Sequence, residues 1–385
     1  MCRNIAISIC GRDKLFMMRI LIVGGGTGGH FYPLLAVAES LTEQSPKLDL
    51  YYMGPEPYNL PMLQAQDIKF IYCPAGKLRL YPSIQNFFDF FRNIAGVFVA
   101  LVKLFWLYPD VIFSKGGYTS VPVLLAARFL RIPVVIHDSD TVPGRASLLA
   151  KNFARYVAVS YPEAAKFFPV NKTALIGIPL RSEVTAPISD PFSVLGITND
   201  LPLIYVTGGS SGAERLKNII LRCLDELLPN YRIFHQVGSG KKAQLVVTAQ
   251  RLISNTNLQN RYFIAEHLDG HTVNALLTAA QIVISRAGST TIFEIATHGK
   301  PSIIIPIPEN ISRDQRTNAY AYAKTGAASV LEEENLTETL LTTEINSIIT
   351  NPARYTEMST AAKAFASTDA AAKIAQILLK VGTEH

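Results

Sequence analysis

Cysteine, tryptophan and charge are all scarce in this chain. Of its 385 residues only 17% are Asp, Glu, Lys or Arg, one is Trp and four are Cys. Cys2, Cys10, Cys73 and Cys223 form no C-x-x-C pair. Neither a disulfide framework nor a cysteine zinc site is indicated, and a reducing compartment fits. The 36 Lys and Arg outnumber the 30 acids but are dispersed rather than blocked. That argues against nucleic acid and leaves a phosphorylated substrate or an acidic lipid as the anionic partner. The opening MCRNIAISICGRDKLFM has no proper apolar core or cleavage site, so a secretory signal is not expected. Met17 and Met18 directly precede the first strong strand, and residues 1–17 are read as a disordered or misassigned leader.

What is abundant is apolar surface, at 49% of residues, and glycine in loops. Short apolar runs alternate with helical patterns: Arg19–Val23, Leu48–Met53, Lys69–Cys73, Val111–Ser114, Pro133–His137, Tyr156–Ser160 and Thr173–Ile178. This is the βαβ signature of a parallel sheet. Pro, Ser, Asp and Gly interrupt it between Ala186 and Pro202. It resumes with Leu203–Thr207, Arg232–Val237, Tyr262–Ala265, Ile282–Ser285 and Ser302–Pro306. The expected fold is α/β: two doubly wound, Rossmann-like domains facing across a cleft, over 18–185 and 203–385, with 186–202 as linker. The alanine-rich amphipathic tail DAAAKIAQILLKVG is a candidate to cross back onto the first domain.

Each half opens with a strand ending in a glycine loop, GGGTGGH and TGGSSGAERL. Five glycines in six residues exceed what a tight turn needs, so the first loop is read as a ligand loop whose backbone approaches a phosphate or sugar. Pro33 is placed in the first turn of the following helix. Gly24-x-Gly26-x-x-Gly29 also satisfies the dinucleotide pattern. No acid ends the second strand, however: Asp49 lies inside it and Glu56 beyond it, which argues against NAD. His30 stands near a helix start, where the dipole disfavours its protonated form; a neutral imidazole at a cleft is a candidate general base. In FSKGGYTSVPVLLAA, Lys115, Gly116, Gly117 and Tyr118 suit an anion or a sugar. Ser210 and Ser211 of the third loop suit phosphate. Ser289, Thr290 and Thr291 open a helix that carries Glu294, a carboxylate able to accept from a ribose diol; a first-turn acid favoured by the helix dipole is the plainer alternative. Asp314 and Asn318 share a helix face with Gln315 beside it, an arrangement suited to sugar hydroxyls or simply to solvent.

Taken in order, GGGTGGHFYPLLAVAESL, SKGGYTSVPVLLAA, IPVVIHDSDTVPGRASLLAK, GIPLR, GGSSGA, SRAGSTTIFEIATHGKPSIIIPIP and DQRTNAY cover about Met18 to Leu331. The ordered set resembles the MurG family. These bacterial transferases add N-acetylglucosamine to undecaprenyl-pyrophosphoryl-muramyl-pentapeptide. The resemblance implies a GT-B-type fold, an acceptor- and membrane-facing first domain and a UDP-N-acetylglucosamine-binding second domain. It implies no cofactor and no metal. By the same analogy His30 is the catalytic base. The donor-binding set is Thr27, Gly28, Gly29, Asp140, Arg181, Ser210, Ser211, Arg286, Ser289, Thr290, Thr291, Ile292, Phe293, Glu294, Asp314, Gln315 and Asn318. The acceptor side has Gly26, Gly116, Gly117 and Tyr118. The chain departs from the family pattern in places: His-Glu-Gln-Asn becomes His137-Asp138-Ser139-Asp140, where Asp140 accepts but does not donate, Ser211 stands for a glutamine, and Asp314 matches imperfectly.

A lipid-linked acceptor implies peripheral attachment to the cytoplasmic face of the membrane, with anionic lipids as partners. The expected contact is NFFDFFRNIAGVFVALVKLFWLYP, from Asn86 to Pro109. Asp89, Arg92 and Lys103 leave only ten uncharged residues, Asn93 to Val102, too few to span, so the segment is expected to lie at the interface. Rival readings are a GT-B transferase with another lipid or saccharide acceptor, a nicotinamide-dependent oxidoreductase, and a non-catalytic sugar-nucleotide-binding subunit.

Overall fold

The computed structural model describes residues 17–77, 79, 83–208, 214–308 and 313–384, so all but the last residue of the leader read in 1–17 lies outside the described residues. Among the described residues thirteen strands form two all-parallel sheets. The first takes β1 (Met18–Val23), β2 (Leu48–Gly54), β3 (Lys69–Tyr72), β4 (Val111–Ser114), β5 (Val134–Asp138), β6 (Tyr156–Val159) and β7 (Thr173–Leu175), in the order β3-β2-β1-β4-β5-β6-β7. The second takes β8 (Leu203–Thr207), β9 (Arg232–Gln236), β10 (Tyr262–Ala265), β11 (Ala280–Ser285), β12 (Ser302–Ile304) and β13 (Ala328–Val330), in the order β10-β9-β8-β11-β12-β13. Strand β13 was not expected; at three residues it is too short to carry a period of its own. Runs such as Ile20–Val23 and Leu203–Val206 are fully or almost fully buried because helices cover both faces of a parallel sheet. In each sheet the order reverses between two central strands, β1 and β4 in the first and β8 and β11 in the second. A crevice opens at such points, at the carboxyl ends of the strands.

The segment 186–202 is anchored to the second sheet's layer. It contains the helix Pro191–Leu195, and Leu195 and Ile197 pack on the core that includes Leu276 and Val283. Asn274 Nδ2 donates to the carbonyls of Glu183 (3.0 Å) and Ala186 (2.7 Å). The terminal helix Ala370–Thr383 packs on the first sheet: Ile374, Ala375, Leu378 and Val381 share a core with Ile20, Leu34 and Val111.

The helix Ile84–Leu107 runs for 24 residues. Charges interrupt it too sparsely to deny it spanning length: an 18-residue window has mean hydropathy 1.7, which overturns the inference that the segment is too short to span. It nevertheless lies along the first domain, inverted relative to an ordinary surface helix. The inward face is small or polar along most of its length, and only towards its end do Ala100 and Leu104 join the core. Asn93 exchanges two 3.0 Å hydrogen bonds with the Gly76 backbone, Asp89 pairs with Arg79 at 2.7 Å, and Gly96 sits against the Pro74 carbonyl. The outward face is apolar, with Ile84 (79% exposed), Phe98 (70%) and Trp106 (79%) at its extremes. The helix thus makes the crossover from β3 to β4 while leaving most of its surface exposed.

Leu378→Ala empties a fully buried site between the terminal helix and the first sheet. It is expected to destabilise by about 2–5 kcal/mol, read as an earlier first transition in calorimetry. An unchanged thermogram would separate that helix from the first domain's stability.

Candidate active site

The glycine loop after β1 divides into two parts with different causes. Gly24, Gly25 and Gly26 are required by packing: a Cβ on them would stand 2.9 Å from the Lys115 Cβ, 2.5 Å from the Tyr52 hydroxyl and 2.9 Å from the Tyr118 ring. Only Gly28 and Gly29 belong to the cleft proper. They begin the helix Gly28–Gln44, capped by Thr27, so Pro33 lies inside the helix rather than in its first turn. Proline has no N–H for the Gly29 carbonyl, which is thus left without its helical donor beside the cleft.

Across the cleft, β11 ends in a turn at Gly288 and the helix Ser289–Thr297 starts. The two helix starts face each other: a Cβ on Gly29 would lie 3.8 Å from Thr290 Oγ1. Neither helix has an acid in its first turn. Unfilled N–H groups and the positive ends of two helix dipoles therefore converge on one space, a cleft of about 630 Å³. That is the physical definition of an anion site. Glu294, past the first turn, is not a dipole-capping acid.

His30 lies in the first turn of its helix, half-buried, its Nδ1 2.8 Å from Thr27 Oγ1. Its Nε2 edge faces the loop after β4, since a Cβ on Gly117 would be 3.8 Å from Nε2. Burial and then the positive charge of Lys115 hold its pKa down to about 4, against the opposing pull of Asp140. The ring is neutral throughout the physiological range. When Nδ1–H donates to Thr27, Nε2 is left as a proton acceptor.

Glu294 is half-buried in the cleft, and burial pushes its carboxyl up to about 7, partly offset by Arg181. The Arg181 guanidinium stacks 4.5 Å from the Tyr32 ring centre and pairs with Glu183 at 3.0 Å. Asp314 and Gln315 line the cleft, and Gln315 Oε1 is a buried acceptor without a partner among the described residues.

Asp140 joins the two domains. Ser289 Oγ donates to its Oδ1 at 2.6 Å and Asn318 Nδ2 donates to the same oxygen at 2.8 Å. Asn318 Oδ1 in turn accepts from the Thr141 N–H (2.9 Å), and the single proton of the Thr141 hydroxyl is shared between Asn318 Oδ1 (3.0 Å) and Thr317 Oγ1 (2.6 Å). A carboxylate that only accepts suits this place, because both of its partners donate.

Several candidate residues do not offer a free side chain to the cleft. Asn318 is fully buried with its side chain committed to that clasp, so it does not present an amide to a sugar. Ile292 and Phe293 point into the second domain's core and offer no side chain to a ligand. Arg286 borders the cleft, yet its guanidinium pairs with Glu333 at 2.6 Å and donates to the Ile305 carbonyl at 3.1 Å. Gly26 and Tyr118 pack on each other outside the cleft lining. Ser210 and Ser211 lie outside the described residues. Sequence reasoning missed the lining supplied after β9 and β10, Gln236–Ser239 and Glu266–Leu268. The signal was positional: both stretches follow strand ends in the second sheet, where ligands bind.

Two doubly wound domains whose switch-point loops meet at one cleft define a protein of the GT-B class. The description "Glycosyltransferase family 28 N-terminal domain" matches residues 20–159, and "Glycosyltransferase family 28 C-terminal domain" matches 203–374. A UDP-N-acetylglucosamine–N-acetylmuramyl-(pentapeptide) pyrophosphoryl-undecaprenol N-acetylglucosamine transferase of Clostridium kluyveri is 34% identical over 371 residues, covering 94% of this chain and 99% of that one. A similarly named protein of Bacillus thuringiensis is 36% identical over 344 residues, covering 88% and 94%. The crystal structure of Acinetobacter baumannii MurG matches with TM-score 0.72 and 25% identity over 94% of this chain and 99% of that chain. A UDP-GlcNAc 2-epimerase from Neisseria meningitidis, at 15% identity and TM-score 0.68 over 94% of this chain and all of that one, shares the fold. The chain belongs to the MurG family of glycosyltransferases.

Glu294 costs stability when ionised. Its folded pKa stands above the usual 4.5, so the penalty is absent below that value, grows as pH rises to about 7 and is complete above it. Glu294→Gln is therefore expected to raise the melting temperature at pH 8 and to leave it nearly unchanged at pH 4. Equal shifts at both pH values would contradict the burial assigned to this carboxyl.

Proposed function

We propose that this protein transfers N-acetylglucosamine from UDP-N-acetylglucosamine to the muramyl sugar of undecaprenyl-pyrophosphoryl-MurNAc-pentapeptide, with inversion at the anomeric carbon. The observation that carries the reading is the pair of acid-free helix starts facing each other across the cleft, with a neutral histidine on one of them. The relatives' names supply the substrates.

In this reading the acceptor hydroxyl attacks C1 of the sugar, the bond from C1 to the diphosphate oxygen breaks, UDP leaves, and the hydroxyl proton passes to Nε2 of His30. Negative charge grows on the departing diphosphate. The amides of Ser289, Thr290 and Thr291, with Gly28 and Gly29 opposite and Arg181 nearby, stabilise it electrostatically. Glu294 takes the ribose hydroxyls. Asp314 and Gln315, whose orphan oxygen needs a donor, take the sugar. Gly116 and Gly117 border the acceptor. Asp140 acts through Ser289 by holding the second helix start against the first.

The second domain, 203–385 less its returning terminal helix, holds the donor. The first, 18–185, receives the lipid-linked acceptor at the cytoplasmic face of the membrane. The outward aromatic face of Ile84–Leu107 supports this, with Phe129 (77% exposed) on the adjoining helix Val121–Leu130 and exposed Arg92, Lys103, Arg128 and Arg131 nearby. An apolar surface of this extent with basic neighbours suits anionic lipid. The helix lies on the membrane rather than across it, because its inward polar face is tied to the protein.

His30→Ala is expected to bind UDP-N-acetylglucosamine as the unaltered protein does and to lose about 10²–10⁴-fold in turnover. Turnover at the unaltered rate would remove His30 from the chemistry. Replacing Phe87, Phe91 and Trp106 together by serine is expected to abolish sedimentation with anionic vesicles while leaving the melting temperature unchanged. Persistent sedimentation would place the membrane contact elsewhere.

A further inference from the structure

One face of the helix Gly28–Gln44 holds the segment by which the chain leaves the first domain. Glu39 follows Tyr32 by seven residues, so two turns of helix set both on one side. Both are half-buried. The Glu39 carboxylate accepts from the Ser182 N–H at 3.1 Å and, through its other oxygen, from the Ser182 hydroxyl. Among the described residues it makes no ion pair, so both oxygens are spent on one serine. Tyr32 stacks on the guanidinium of Arg181, the residue before that serine. Arg181 is mostly buried, lines the cleft, and its charge acts on Glu294. The residues after Ser182 are fastened to the second domain. Val184 shares a core with Leu276 and Leu277, Asn274 donates to the Glu183 and Ala186 carbonyls, and Gly270 leaves no room for a Cβ beside Glu183. Arg181 thus stands at the start of a segment bound to the second domain, while Tyr32 and Glu39 reach it from the first.

We propose that Glu39 is a positioning residue: by holding Ser182 it fixes the backbone from which Arg181 extends, and so sets the guanidinium against the diphosphate of the nucleotide. The inference rests on the function proposed above, in which Arg181 stabilises the departing diphosphate. An arginine side chain is long and rotamer-rich, and a charge placed by such a side chain is only as well aimed as its root. Without Glu39 the segment keeps its second-domain anchors but loses its tie to the first. Arg181 is then left with Glu183, an exposed carboxylate two residues on, which competes for the guanidinium. The helix that carries Glu39 also begins with Gly28 and Gly29 at the cleft. One rigid element therefore places the anion-binding amides at its start and the arginine beside its third turn.

The test is titration calorimetry with UDP on the unaltered protein, Glu39→Ala, Arg181→Ala and the double variant. Glu39→Ala is expected to melt as the unaltered protein does and to bind UDP about three- to tenfold more weakly. In the double variant the affinity is expected to equal that of Arg181→Ala alone, because Glu39 acts only through Arg181. Glu39→Gln, which keeps one acceptor oxygen, is expected to lose less than Glu39→Ala, and Ser182→Ala, which removes one of the two donors, to lose in the same direction. Unchanged UDP affinity in Glu39→Ala, or losses that multiply in the double variant, would overturn the assignment. Unchanged affinity in Arg181→Ala would overturn it together with the place given to Arg181 at the diphosphate. The titrations need no turnover: a protein that shows this coupling yet forms no disaccharide lipid would refute the proposed reaction and leave the role of Glu39 standing.

Discussion

Two helix starts of the same electrical sign face each other across one cleft, and most of the architecture serves that juxtaposition. Positive dipole ends repel unless something negative lies between them. Asp140 supplies a negative charge near both: it hydrogen-bonds Ser289 at the second helix start and lies close enough to His30 on the first to raise its proton affinity. A ligand carrying a diphosphate would supply far more. The doubly wound sheets bring these helices together because the order of each sheet reverses beside the strand that precedes its helix, β1 in one and β11 in the other. The crossing segments at Gly177 and Ser367 lie against each other, so the chain passes between domains twice at one place.

Much of this was legible in the sequence because parallel sheets write themselves as short apolar runs between helical patterns. All twelve expected strands formed, with end shifts of up to three residues. The thirteenth, Ala328–Val330, carries too few residues to show a period. Glu294 and His30 were legible because a charged or titratable group beside a glycine turn at a strand end is unusual. Side-chain commitment was not. Asn318 and Asp314 look alike on a helix face, yet only contacts distant in sequence, to Asp140 and Thr141, decide that Asn318 is a buried clasp. Glycine was over-read for the same reason: three of the five in the first loop answer to Tyr52, Lys115 and Tyr118, partners 27 to 92 positions away that spacing does not reveal.

The inverted helix Ile84–Leu107 shows a further limit of pattern reading. Hydropathy alone describes an apolar helix, and either burial or a membrane would satisfy it. What distinguishes the cases is the inward row of Asn86, Asp89, Asn93 and Gly96, whose bonds tie the helix to its own domain and turn the aromatic residues outward. The same first domain thus carries an apolar exterior and, at its cleft, the buried cation Lys115.

The central claim is that the facing helix starts and His30 carry out a direct displacement at the anomeric carbon. The most direct measurement combines labelled UDP-N-acetylglucosamine with vesicles containing undecaprenyl-pyrophosphoryl-MurNAc-pentapeptide and determines the anomeric configuration of the lipid product by NMR. The account predicts release of UDP and a disaccharide lipid in which the transferred sugar is β-linked, inverted from the α-configured donor. An α-linked product, or no disaccharide lipid from a folded, UDP-binding protein, would contradict it.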